Sequence, residues 1–226
     1  MQSPAEAVLI ERAAALLAGI DAPQRTLLNV GAGASTIVED EILRRLDGGF
    51  VCDRLDVEPC PVTHPLVRRC VAESVERMSQ VGSAQYALVV SNYVLEHVPD
   101  CDAALREVAR VLRPGGAWTL DLANPDLLRR ALVPHSTREH AGARIEERRE
   151  LLEGGSVVQK HVRWIEPSGV EDAWTERVRL WTAGDLEAPL RALGLRLERR
   201  LGGFAGEPFG PEAPRQILVW RRDPGR

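Results

Sequence analysis

The chain has 226 residues, 29 Lys plus Arg against 33 Asp plus Glu, and a formal net charge of −4. That length suits one sizeable α/β domain, and no Ser/Gly/Pro-rich linker divides it. The acidic balance, with arginines interleaved among glutamates, argues against nucleic acid as a partner, and no apolar run approaches the roughly 18 residues of a membrane span. Among the basic residues Lys160 alone is a lysine, which reads as the base bias of a GC-rich bacterial genome. Cys52, Cys60, Cys70 and Cys101 have no C-x-x-C spacing, so reduced thiols and a cytoplasmic location are expected. A zinc site from Cys60, His64 and Cys70 lacks regular spacing and a fourth ligand, so no metal is expected.

Ser3-Pro4-Ala5-Glu6 forms a capping box with proline at the first helical position. With Val8, Leu9, Ala13 and Leu16 at helical spacing it predicts an amphipathic helix over residues 1–20, with no signal peptide ahead of it. Residues 26–30 read as a strand that breaks into Gly31-Ala32-Gly33-Ala34-Ser35-Thr36, and residues 37–46 as the helix that follows. A second strand over 50–56 ends in Asp56, completing a βαβ unit. Pro59, Pro61 and Pro65 break the next stretch before a third strand near 70–72. The apolar run 86–90 reads as a strand buried on both faces, and 102–112 as a helix stopped by Pro114-Gly115-Gly116 ahead of a strand over 117–122.

This alternation predicts a doubly wound, mostly parallel sheet. Residues 143–181 then show strict period-two alternation, with turns at Gly154-Gly155 and Pro167-Ser168-Gly169, and predict an inserted meander of three antiparallel strands. Its outward face carries His161, Arg163, Arg177 and Arg179, either a solvated face or a seat for an acidic group. Thr182-Ala183-Gly184-Asp185 opens a last helix, Gly194 closes it, and strands follow over 195–201 and 216–220. The loop between them, with Phe204 and Phe209, either borders a substrate pocket or is an ordinary hairpin connection.

In a doubly wound sheet the ligand sits beyond the carboxyl ends of the central strands, at the switch point. Gly31 and Gly33 follow the first strand and permit close backbone approach. Asp56 closes the second, where a carboxylate accepts from both hydroxyls of a ribose. That pair fits nicotinamide dinucleotides and S-adenosylmethionine alike. The dinucleotide fingerprint, however, needs glycine where this chain has Thr36. Farther on, Ser91-Asn92-Tyr93-Val94-Leu95-Glu96-His97-Val98 leads to Arg110-Val111-Leu112-Arg113-Pro114-Gly115-Gly116. With the glycine turn and Asp56, these residues make the chain resemble the class I S-adenosylmethionine-dependent methyltransferases, particularly the small-molecule branch. The likeness is close over residues 25–125.

The resemblance implies a Rossmann-like, seven-stranded sheet closed by an antiparallel hairpin, with S-adenosylmethionine as cofactor and a small-molecule acceptor. It also implies that Gly31, Ala32 and Gly33 face the methionine moiety and that Asp56 holds the ribose. Val57 then lies beside the adenine, Glu73, Ser74 and Val75 bracket its amino group, and Ser91 offers backbone to the methionyl amine. The insertion covers the active site or forms a homodimer contact. The chain departs from the family pattern at Asn29, where an acid is frequent, although asparagine still accepts hydrogen bonds near the cofactor amine. It departs again at Ser35 for glycine, at Glu73 or Ser74 for aspartate, and at Gln85-Tyr86 for Phe-Asp.

A sulfonium methyl is already activated, so in-line positioning can supply ~7–11 kcal/mol of the barrier. A hydroxyl or protonated amine as acceptor also needs a base. His97 and Tyr93, just past the fourth strand, are the candidates, each with a structural role as the alternative. His135 and His140 precede the insertion, and Asn124 either orients substrate or precedes Pro125 in a turn. The favoured reading is methyl transfer to an O, N or C atom of a small metabolite. A nicotinamide-dependent oxidoreductase and a non-catalytic interaction subunit are the alternatives.

Overall fold

The computed structural model describes residues 4–59, 62–203 and 206–225. Ser3, Cys60 and Phe204 lie outside the described residues. Eleven strands and five α-helices follow one another among the described residues: α1 (Pro4–Ala18), β1 (Thr26–Val30), α2 (Ile37–Arg45), β2 (Val51–Asp56), β3 (Val67–Ala72), β4 (Tyr86–Asn92), α3 (Cys101–Val111), β5 (Leu112–Ala123) and α4 (Pro125–Ala131) form the first part. The inserted strands β6 (His135–His140), β7 (Ala143–Leu152), β8 (Val157–Ile165) and β9 (Glu171–Arg179) come next, and then α5 (Ala183–Ala192), β10 (Leu195–Leu201) and β11 (Arg215–Arg222).

The main sheet has seven strands in the order β10-β11-β5-β4-β1-β2-β3. β11 runs antiparallel to both its neighbours and the other pairings are parallel. The strand order reverses between β1 and β4, which makes their carboxyl ends the switch point. From Leu88 on, alternate residues of β4 serve opposite faces. Val89 packs with Leu105 and Val108 of α3 and Leu186 of α5, joined there by Tyr86 across the register shift between Tyr86 and Leu88, while Leu88 and Val90 pack with Ile10 and Leu17 of α1 and Ile42 of α2. Burial on both faces is why this stretch reads as a continuous apolar run. Tyr86, one of the departures from the family pattern, is almost wholly buried, and its hydroxyl donates to Asp53. Arg68 at 2.9 and 2.6 Å and Arg69 at 3.0 Å complete that carboxylate's partners.

Three expectations are corrected. The expected stop at Pro114-Gly115-Gly116 lies inside β5. The helix ends at Val111, and the pairing with β4 jumps from Tyr86–Leu112 to Leu88–Ala117, so the intervening residues form a bulge that lets the chain turn without leaving the sheet. The insertion begins at residue 135 rather than 143, and it has four strands in the order β6-β7-β8-β9 rather than three. The extra strand, His135–His140, is almost wholly exposed, so it carries no hydrophobic alternation to announce it; its pairing with β7 supplies its order.

Candidate active site

The switch point opens into a cavity of about 370 Å³. Val30 and Gly31 of β1 and its turn, Leu55, Asp56 and Val57 at the end of β2, residues 73–76 after β3, and Tyr93, Val94, His97, Val98 and Pro99 after β4 line it. Gly31 is required there twice over. Its φ is +68°, and a Cβ would lie 2.3 Å from Cγ2 of Val94. Gly33 also has positive φ, +58°, but faces open space, so only its backbone conformation requires glycine.

A buried polar cluster beneath the turn fixes its shape. The Arg54 side chain, wholly buried, donates from Nη2 to the carbonyls of Ala32 at 2.7 Å, Gly33 at 3.0 Å and Ser35 at 2.7 Å. Its Nε lies 3.7 Å from Oε1 of Glu39, which is equally buried and accepts from Asn29 Nδ2 at 2.9 Å. Asn29 is therefore committed to the support beneath the turn and does not line the cavity. Glu39 supplies, from α2, an acid close to Asn29, where the family often has one in the strand itself. Asp56 is oriented from both sides: Gly33 N–H donates to Oδ2 at 2.8 Å and Glu58 N–H to Oδ1 at 3.2 Å.

Of the residues expected at the cofactor, Gly31, Asp56, Val57, Glu73, Ser74 and Val75 come together around the cavity, and so do Tyr93 and His97. Ala32, Gly33 and Ser91 do not line it. Ser91 is buried, its hydroxyl accepting from Trp118 Nε1 at 2.9 Å. Glu73 directs its carboxylate to the Ser79 hydroxyl and to Gln80 N–H, at 3.1 Å. Glu76, which sequence reading missed, binds the Ser74 hydroxyl at 2.9 Å and Asp100 N–H at 2.6 Å, tying the loop after β3 to the start of α3.

Tyr93 sits at the carboxyl end of β4 with φ +57°, a conformation unusual for a residue with a side chain. Its ring is half exposed, and the Arg215 guanidinium stacks on it at 4.4 Å. Arg215 Nε also donates to buried Asp121 at 2.9 Å. Glu96 is buried close by; burial pushes its carboxyl up to about 7, Arg215 draws it back down, and Asp121 adds to the rise. Burial likewise raises Asp121, against the pull of Arg215. Glu96 thus belongs to the floor under Tyr93, while His97 is exposed at the cavity rim.

The other expected residues have structural partners. Asn124 caps α4, accepting from Asp126 N–H at 3.1 Å and donating to the carbonyls of Gly210, Pro211 and Ala213, so it pins the hairpin loop to the helix. In that loop Phe209 lies under Arg200 at 3.5 Å. His135 and His140 mark the two ends of β6, and His140 meets Trp164 edge-on at 6.1 Å. His64 binds Asp40 at 3.1 Å and Leu66 N–H at 3.2 Å.

A family model for the methyltransferase domain matches residues 3–199. The chain belongs to the methyltransferase domain family. Its sequence is 25% identical over 167 residues to the ubiquinone biosynthesis O-methyltransferase of Serratia proteamaculans, a match covering 66% of this chain and 68% of that one. Among solved structures, the CcbJ methyltransferase of Streptomyces caelestis superposes with a TM-score of 0.74 at 17% identity, covering 98% of this chain and 97% of that one. CalS10 of Micromonospora echinaspora, an amino pentose methyltransferase solved with S-adenosylmethionine bound, gives 0.67 at 17% identity, with coverage of 98% and 92%.

The cavity residues fit such a cofactor. The backbone at Gly31 is bare where a Cβ would clash, a fixed carboxylate stands at the end of β2, and Leu55, Val57 and Val75 give an apolar slot between them.

Proposed function

We propose that this methyltransferase uses S-adenosylmethionine to methylate an O, N or C atom of a small metabolite. The observation that carries the reading is the switch-point cavity, with Gly31 open on one side and the oriented Asp56 carboxylate on the other. In this reading Asp56 accepts from the ribose hydroxyls. Val57 and Val75 flank the adenine, with Glu73 and Ser74 at its amino edge. Gly31, Ala32, Gly33 and the backbone of Ser91 hold the methionine end, and Asn29 with Glu39 supports that turn from below. Bound there, the cofactor would supply a sulfonium methyl already activated for transfer to the acceptor atom. His97 and Tyr93, at the rim, hold that atom in line and take its proton where the acceptor is a hydroxyl or an ammonium group.

Of the three relatives named above, one is an O-methyltransferase and one an amino pentose methyltransferase, which supports a small acceptor for this chain. The free thiols Cys52, Cys70 and Cys101 support a cytoplasmic location. A homodimer contact through the insertion is readable by light scattering.

Calorimetric titration with S-adenosylhomocysteine tests the cofactor reading. Asp56→Ala should weaken binding by about tenfold or more, ~1.4 kcal/mol, with an unchanged circular-dichroism spectrum. Absence of binding at millimolar ligand favours the non-catalytic interaction subunit. Binding of a nicotinamide dinucleotide instead restores the oxidoreductase alternative.

A further inference from the structure

A second cavity, of about 490 Å³, lies between α4 and the inner face of the inserted sheet. Its size falls within the ~300–1,000 Å³ usual for small-molecule sites. All four inserted strands and α4 contribute to its lining. Leu128, Leu132, Val158 and Val178 make it mainly apolar, and three charged side chains break that surface: Arg149, Lys160 and Glu176. They form one cross-strand row, Arg149 opposite Lys160 and Lys160 opposite Glu176. Arg149 is committed to Glu147 and, at 3.0 Å, to the Ser136 hydroxyl. Lys160, the chain's sole lysine, gives one of its three ammonium donors to Glu176 at 2.6 Å.

Glu176 lines this cavity and lies close enough to His97, which lines the cofactor cavity, for the two to interact electrostatically. Its burial pushes the carboxyl up, but the bonds from Lys160 and Trp174 and the nearby charge of His97 hold it below the usual value. β9 packs on the turn Leu95–His97, and Trp181 Nε1 donates to the Leu95 carbonyl at 3.3 Å. Trp174, on the same face of β9, donates to Glu176 at 2.9 Å and leaves 41% of its surface exposed. The outer face is different. Arg163 lies between Glu146 and Glu171, each at 2.8 Å, and Arg177 binds Glu153 at 2.9 Å, all in solvent.

We propose that this cavity receives the methyl acceptor, that the acceptor is a flat, largely apolar molecule carrying an anionic group, and that Lys160 fixes the anion. The inference rests on the methyltransferase reading and names the substrate class of its acceptor side. With the anion at Lys160 and the ring against Val158 and Val178, the reacting end points past Glu176 toward His97. Glu176 is then a positioning residue, holding Lys160 on one side and facing His97 on the other. Arg149 and Lys160 each already hold a carboxylate, Glu147 and Glu176, so the anion is met by the two ammonium donors that Lys160 has left.

The test uses 1-anilinonaphthalene-8-sulfonate, an apolar aromatic with one fixed anion, titrated by fluorescence into the full chain saturated with S-adenosylhomocysteine. Lys160→Met should weaken it about tenfold, the loss of one charge-assisted hydrogen bond, and Lys160→Arg should restore most of the affinity. Val178→Trp, which fills the cavity, should abolish binding, whereas Arg177→Met on the outer face should leave it unchanged. The uncharged N-phenyl-1-naphthylamine should bind wild type and Lys160→Met alike. Equal sulfonate binding by wild type and Lys160→Met, or by wild type and Val178→Trp, overturns the inference. Calorimetry with S-adenosylhomocysteine on the same variants separates the two readings: normal binding there with no Lys160 effect defeats this inference alone, and no binding by wild type defeats the cofactor reading.

Discussion

Charge is buried under the glycine turn and spread over the surface of the insertion. Beneath the turn, the Arg54 and Glu39 side chains have no exposed surface; Nη2 of the guanidinium serves three backbone carbonyls and Nε stands 3.7 Å from the Glu39 carboxylate. On the inserted sheet, Arg163, Arg177, Glu153 and Glu171 are each about half exposed and pair in water. A buried pair tolerates only one geometry, because a lost partner leaves an unpaired charge in a low-dielectric interior; an exposed pair can be exchanged for water. The end of the molecule that meets the invariant cofactor is therefore over-determined. The outer face of the insertion is held loosely enough for its charges to be exchanged.

The largest effect should come from Arg54→Met, which strands Glu39 and frees the turn carbonyls. About 3–5 kcal/mol of stability should be lost in urea unfolding, and the double variant with Glu39→Gln should recover part of it. A loss no greater than that of a surface pair would break the contrast between the two regions.

Glu96 probes the same burial through pH. Its folded value of about 7 stands above the unfolded 4.5, so the folded state keeps a proton that the unfolded chain releases. Its contribution is fully present below pH 4.5, falls as pH rises, and levels off above 7. The total decline is on the order of 3 kcal/mol. Glu96→Gln should flatten that slope in unfolding curves between pH 5 and 8.

At the junction of insertion and main sheet, Thr182→Ala removes a capping box in which Asp185 N–H donates to the Thr182 hydroxyl at 3.1 Å and Thr182 N–H donates to Asp185 at 2.8 Å. The expected loss is about 1 kcal/mol, measured by thermal melting. Arg177→Ala, in the insertion, should cost less than about 1 kcal/mol. A larger loss would show that the outer face is built rather than merely solvated.

Where a residue's role follows from local pattern, the sequence is legible. β1 begins and ends at the expected residues, the hairpin β10–β11 closes the sheet, and Thr182 caps α5 as its box predicts. Gly31 and Asp56 meet across one cavity because each ends a parallel strand beside the switch point. Arg54 was invisible, since a charge in a strand that already carries Asp53 and Asp56 signals burial only once its partners on α2 and the turn are known. Arg215 and Glu96 were hidden for the same reason: their encounter spans more than 100 residues of chain. Lys160 looked like a trace of genomic bias until the fold turned its face of β8 toward α4.

By itself the sequence determined the order of strands and helices up to β5 and again from α5 onward, the glycine turn, the acid at the end of β2 and the family to which they belong. These depend on periodicity and on backbone conformations accessible to particular residues, which are local properties. Only the tertiary structure decided which carboxylates are buried, that Lys160 looks inward, and that His97 of one cavity and Glu176 of another come close. Those facts depend on contacts between distant segments, and burial is created by the contacts themselves.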